Sequence, residues 1–127
     1  YSPSKFFLGG KSMGGRIASQ TVAAGLEVDG LFFLGYPLHP PGRQDQLRDS
    51  HLYKINIPML FVSGTRDNFA RKELLDAVVG KLGSKAAIHW IENGDHSFNT
   101  GNGKAAVAQT YSSVIALLVD WFKANTK

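Results

Sequence analysis

Gly10-Lys11-Ser12-Met13-Gly14 sets a serine between two glycines at the spacing G-x-S-x-G. A serine hydroxyl is a poor nucleophile at neutral pH, so a histidine must take its proton and a carboxylate must hold that histidine in the right tautomer. Behind a serine presented in this way, the expected chain order is Ser, Asp, His. The histidines stand at 39, 51, 89 and 96. His89 falls within an apolar run and reads as a satisfied core or surface residue. His96 lies in the polar segment Asn93-Gly94-Asp95-His96-Ser97-Phe98 and is the candidate base. Asp67, in Gly64-Thr65-Arg66-Asp67-Asn68-Phe69, comes before it and is the candidate acid. The chemistry these residues suit is acyl transfer through Ser12, with the Met13 backbone N–H placed to donate to an oxyanion.

Other readings of the same residues compete. A phosphate-binding loop, G-x-x-x-x-G-K-[ST], would require glycine at position 5, which is Lys5, and would turn Phe6-Phe7-Leu8 into loop. A glycine-rich structural turn with an incidental serine is the blander alternative. Asp95 rivals Asp67, but a carboxylate seldom reaches the imidazole of its own neighbour, and Asp95 is expected to shape its loop through backbone hydrogen bonds. Asp67 or Asn68 would also suit the cap of a helix beginning near Arg71.

A serine of this kind needs a sharp strand-to-helix turn, and the sequence supplies one. A bulky run at 5–8, read as a strand buried on both faces, ends at Gly9-Gly10, and a helical pattern follows over 13–24 with Gly25 at its C-terminal end. Gly10, Gly14 and Gly15 are expected to give the turn room. Further strands are predicted at 31–34, 59–62 and 87–91, and further helices at 71–82 and 107–124. The proline-rich stretch 36–56 reads as a long loop with a helical turn near 44–50, and 92–104 as a second loop. Apolar strands alternating with amphipathic helices predict an α/β fold, a mainly parallel sheet with helices on both faces. Ligands of such sheets bind at the C-terminal ends of the strands, which puts Ser12, Asp67 and His96 on one rim. Tyr36 and His39 follow the second strand on that rim and are candidate substrate-binding residues.

The 127 residues, 43% hydrophobic and 19% charged, predict a single domain over 1–127. No run of about 18 uninterrupted apolar residues occurs, and the longest candidate, 114–119, is too short to cross a bilayer, so a soluble chain without a membrane partner is expected. The absence of cysteine excludes disulfides, thiolate zinc sites and a cysteine nucleophile, and a cytoplasmic location is the default. The net charge of +4, from 14 basic and 10 acidic residues, is scattered rather than gathered into a patch, which argues against nucleic acid as a partner. The histidines lack metal-ligand spacing, so neither metal nor cofactor is expected. The first residues carry no initiator Met and no signal-peptide layout, and read as the middle of a longer gene.

Taken together, Gly9-Gly10-Lys11-Ser12-Met13-Gly14-Gly15-Arg16, Gly35-Tyr36-Pro37-Leu38-His39-Pro40-Pro41-Gly42, Ser63-Gly64-Thr65-Arg66-Asp67 and Gly94-Asp95-His96-Ser97-Phe98 resemble the dienelactone-hydrolase-like branch of the α/β-hydrolases. The resemblance runs nearly the whole chain and implies a triad of Ser12, Asp67 and His96. It also implies several strands before the serine turn and an oxyanion donor from an early loop, so the chain reads as the C-terminal part of that fold. The N-terminal half, or another chain, is then needed to complete the sheet. The expected function is hydrolysis of an ester, thioester, lactone or similar acyl bond in a small-molecule substrate. The alternative is a non-catalytic interaction module of the same fold.

Overall fold

Phe7–Lys11 (β1), Gly30–Leu34 (β2), Met59–Gly64 (β3) and Ala86–Ile91 (β4) lie side by side in that order as one sheet, and every pairing is parallel. The computed structural model describes residues 5–125. Residues 1–4 and 126–127, included above in the single domain, lie outside the described residues. Met13–Ala23 (α1), Lys72–Leu82 (α2) and Lys104–Ala124 (α3) cover the sheet.

Side chains alternate across a strand, and the two sets build two separate cores. Leu31, Phe33, Met59 and Phe61 pack with Ala18 of α1 and Leu75, Val78 and Leu82 of α2. Phe32, Leu34, Leu60 and Val62 pack with Val114, Leu118 and Trp121 of α3. Both faces of β3 are therefore filled, and all six of its residues are buried. Strand order equals chain order, so each right-handed crossover advances the same way and lands on the same face. Only α3, which follows the last strand, returns across the other. The expected α/β class, with helices on both faces, is what the chain adopts.

Three local expectations change. First, β1 does not stop at Gly9-Gly10 but runs through both to Lys11, pairing Gly9 with Phe32 and Gly10 with Phe33. The glycines serve close approach rather than chain reversal, since a Cβ on Gly9 would sit 2.5 Å from the Phe32 ring. As the outer strand, β1 is only half buried rather than buried on both faces. Second, the short helix in the long connection is a 3-10 turn at Ser50–Lys54, later than expected, fixed where Leu52 enters the core and the Tyr53 hydroxyl donates to Asp49.

Third, α3 begins earlier than expected and spans 21 residues with a mean hydropathy of 1.3 in its most apolar window, which meets the length and composition of a membrane-crossing helix. A count of uninterrupted apolar residues misses this, because Gln109, Thr110, Ser112 and Ser113 break the run without adding charge. Aromatic contacts hold the helix on the sheet, with the Phe7 ring 5.5 Å from Trp121 and 4.8 Å from Phe122.

Candidate active site

The turn between β1 and α1 holds Ser12 at φ 53, ψ −123, the left-handed side of backbone space that non-glycine residues rarely occupy. Its N–H donates to the Leu34 carbonyl at 2.8 Å, and its own carbonyl accepts from Gly15 and Arg16. Gly10 and Gly15 make this turn possible: a Cβ on Gly10 would lie 2.8 Å from the Gly14 carbonyl carbon, and one on Gly15 would lie 2.8 Å from the Gly10 oxygen. Gly14, expected to contribute room as well, faces open space. The Met13 N–H, at the first turn of α1, has no hydrogen-bond partner among the described residues and points from the positive end of a helix without acidic residues in its first turn.

Two loops at the same rim bring a histidine and a carboxylate to Ser12. Asp67 follows β3, and its side chain is fully buried. The Asp67 Oδ2 accepts from His96 Nδ1–H at 2.8 Å, and its Oδ1 accepts from the Phe69 N–H at 2.7 Å. A carboxylate on Nδ1 fixes the tautomer with the proton there, leaving His96 Nε2 to accept from the Ser12 hydroxyl at 2.7 Å. Asp67 caps no helix, because α2 is preceded by Arg71, which makes no side-chain cap bond.

The loop that carries His96 folds on itself. Asp95 Oδ1 accepts from the N–H groups of Ser97 and Asn99, both at 2.9 Å, and the Asn99 contact foremost holds its carboxyl below the usual range. This is the loop-shaping part expected of Asp95. Beyond it, Phe98 turns at φ 64 to bury its ring completely, and the Tyr111 hydroxyl of α3 donates to the Ser97 carbonyl at 2.9 Å. Gly64 is required where the loop crosses the end of β3, since a Cβ there would overlap the Gly94 carbonyl.

Tyr36 and His39, the candidate substrate-binding residues, both hydrogen-bond to backbone groups. The buried Tyr36 hydroxyl donates to the Arg48 carbonyl at 2.7 Å, and burial pushes its pKa up to about 12. His39, also buried, accepts from the Arg71 N–H at Nε2 and donates from Nδ1 to the Pro40 carbonyl. A cleft of about 810 Å³ opens beside His39, Arg66, Asp67 and Arg71, but neither Ser12 nor His96 lines it.

A second serine-histidine contact, which the sequence reading missed, joins Ser19 of α1 to His51 at 2.7 Å. The Ser19 hydroxyl already donates to the Arg16 carbonyl at 2.6 Å, so His51 Nε2–H is the donor and cannot act as base toward it. Ser19 is fully buried, and the pair fastens the 3-10 turn to α1. Nothing in the local sequence of Ser19 signals a partner 32 residues away.

Residues 1–123 match a family described as alpha/beta hydrolase domain. Among solved structures, the chain is similar to an alpha-beta serine hydrolase homologue from Coxiella burnetii, with 21% identity and a TM-score of 0.53 over 72% of this chain and 41% of that one. It is also similar to the esterase domain of a Rhodothermus marinus protein, at 13% identity and a TM-score of 0.54 over 71% of this chain and 52% of that one. A puromycin hydrolase gives 15% identity and a TM-score of 0.57 over 72% of this chain and 18% of that one. At these identities the likeness is one of fold, and the chain covers about half or less of each relative's length.

Proposed function

The chain belongs to the alpha/beta hydrolase domain family, and from that premise we propose that it is a serine hydrolase of an ester, thioester, lactone or similar acyl bond. One observation carries the proposal: the unbroken path from Ser12 through His96 to a buried Asp67, at 2.7 and 2.8 Å. Ser12 Oγ attacks the acyl carbonyl while His96 Nε2 takes its proton. Asp67 keeps the imidazole in the accepting tautomer and stabilises the imidazolium that forms. The Met13 N–H donates to the developing oxyanion, in a field favourable to negative charge. His96 then returns the proton to the leaving group, and water, deprotonated by the same imidazole, releases the acyl group from Ser12.

The proposal extends to the outer side of β1. That strand pairs only with β2 among the described residues, and the neighbouring apolar side chains Phe6 and Ile17 are 58% and 55% exposed. Further polypeptide covers this edge in the working enzyme and supplies the second oxyanion donor. The 41% and 52% coverage of the two hydrolase-like relatives supports this reading.

Labelling with a fluorophosphonate probe tests the assignment of the nucleophile. Wild type is expected to label, Ser12→Ala and His96→Ala to lose labelling, and Ser19→Ala to retain it. Labelling that survives in Ser12→Ala, or a folded wild type that does not react, would remove the proposal.

A further inference from the structure

We propose that Phe69 is a positioning residue for the base, its ring holding the His96 imidazole flat between Asp67 and Ser12. The inference rests on the hydrolase reading above and adds a group that neither the motif spacing nor the family match assigns. The two rings lie 4.3 Å apart between centroids with an interplanar angle of 35°. The hydrogen bonds at Nδ1 and Nε2 hold the imidazole only by its edge, so that rotation of the ring out of the plane joining Asp67 to Ser12 is opposed at those two atoms alone. A ring packed against the face resists that rotation directly. Tilting would swing the Nε2 lone pair off the Ser12 hydroxyl.

Phe69 is itself held through both of its backbone polar groups. Its N–H donates to Asp67 Oδ1 at 2.7 Å, so the carboxylate that anchors the imidazole also anchors the residue stacked upon it. Its carbonyl accepts from the His39 N–H at 3.0 Å, which ties it to the proline-rich loop. Gly35 packs beside His96 as well: a Cβ there would crowd the His96 carbonyl at 3.1 Å and reach ordinary contact, 3.5 Å, with Cε1 and Nδ1 of the ring. A π face beside the ring also favours the imidazolium that forms when Ser12 gives up its proton.

The experiment compares Phe69→Ala, Phe69→Leu and Phe69→Tyr on an activated ester, with the fluorophosphonate labelling rate at Ser12 and the thermal midpoint of each variant. Loss of ring positioning is expected to lower kcat on the order of 10- to 100-fold in Phe69→Ala with little change in KM, as for a small misplacement of a reacting group. Phe69→Leu, similar in bulk but without a π face, is expected to stay low, and Phe69→Tyr to recover most of the rate. Phe69→Leu turning over like wild type, or a loss confined to KM, would overturn the role of Phe69 alone. A wild type that fails to label at Ser12 would remove the hydrolase reading and this inference with it.

Discussion

At the scale of single residues, the site divides into groups that react and groups that hold them. Asp67 belongs to the second kind, with both oxygens already committed, one to the imidazole and one to the Phe69 N–H. Asp67→Asn keeps the shape but offers an amide where a carboxylate accepted, and the imidazole then prefers the tautomer with its proton on Nε2. The expected result is a fall in kcat on the order of 10⁴-fold with the fold retained, read by steady-state kinetics beside circular dichroism. Ser12, Asn93 and Phe98 are the non-glycine residues of positive φ among the described residues, and all three lie in the loops of this rim. Local strain of this kind persists where surrounding contacts over-determine the backbone.

At the scale of elements, the loop after β4 is held by a buried ring as well as by its own hydrogen bonds. Phe98 anchors it between the sheet and α3, 5.7 Å from the Tyr111 ring. Phe98→Ala removes that anchor and is expected to cost about 3–5 kcal/mol in chemical denaturation, with activity falling further than stability alone predicts because His96 loses its tether. A second element-scale contact is sensitive to pH. Burial first, and the nearby Arg16 guanidinium second, hold the pKa of His51 below its usual 6.5, while Asp49 opposes them. Below 6.5 the unfolded chain therefore binds more protons than the folded one. Stability from this residue is complete above that value and is lost as the pH falls toward the lower folded-state pKa. Urea midpoints measured at about pH 5 and about pH 7.5 are expected to differ more for wild type than for His51→Gln.

For the whole molecule, the sheet is finished on its α faces and open at its first strand. Ile17 on α1 and Ile115 on α3, 55% and 60% exposed, are the kind of residue that a covering segment would bury. If such a segment is present in the working protein, Ile17→Asp should destabilise it by more than about 1 kcal/mol, whereas a true surface position tolerates the change to within about 0.5 kcal/mol. Thermal or urea unfolding of the two proteins separates these outcomes. On the opposite face of the sheet, the inner side of α3 meets aromatic residues of β1 and β2, while Ile115 and Val119 on the same helix are exposed.

The alternation of apolar runs with helical patterns, and the glycines around Ser12, were enough to settle the α/β class, the order of the elements and the choice of Ser12, Asp67 and His96 as candidates. These properties are local or follow from simple rules of connection, because a buried strand needs a continuous apolar run and a right-handed crossover puts successive strand ends on one rim. Contacts across long sequence separations had to wait for the tertiary structure. That the polar atoms of Tyr36 and His39 turn to the backbone of Arg48, Pro40 and Arg71 is visible only in the fold. Ser19 and His51 find each other only when the long connection folds back on α1. Phe69 carries no signal beyond being an aromatic residue after Asp67, and its place against His96 exists only because β3 and β4 end side by side. Motifs record what a turn demands of its own residues, whereas the partner of a side chain is decided by packing.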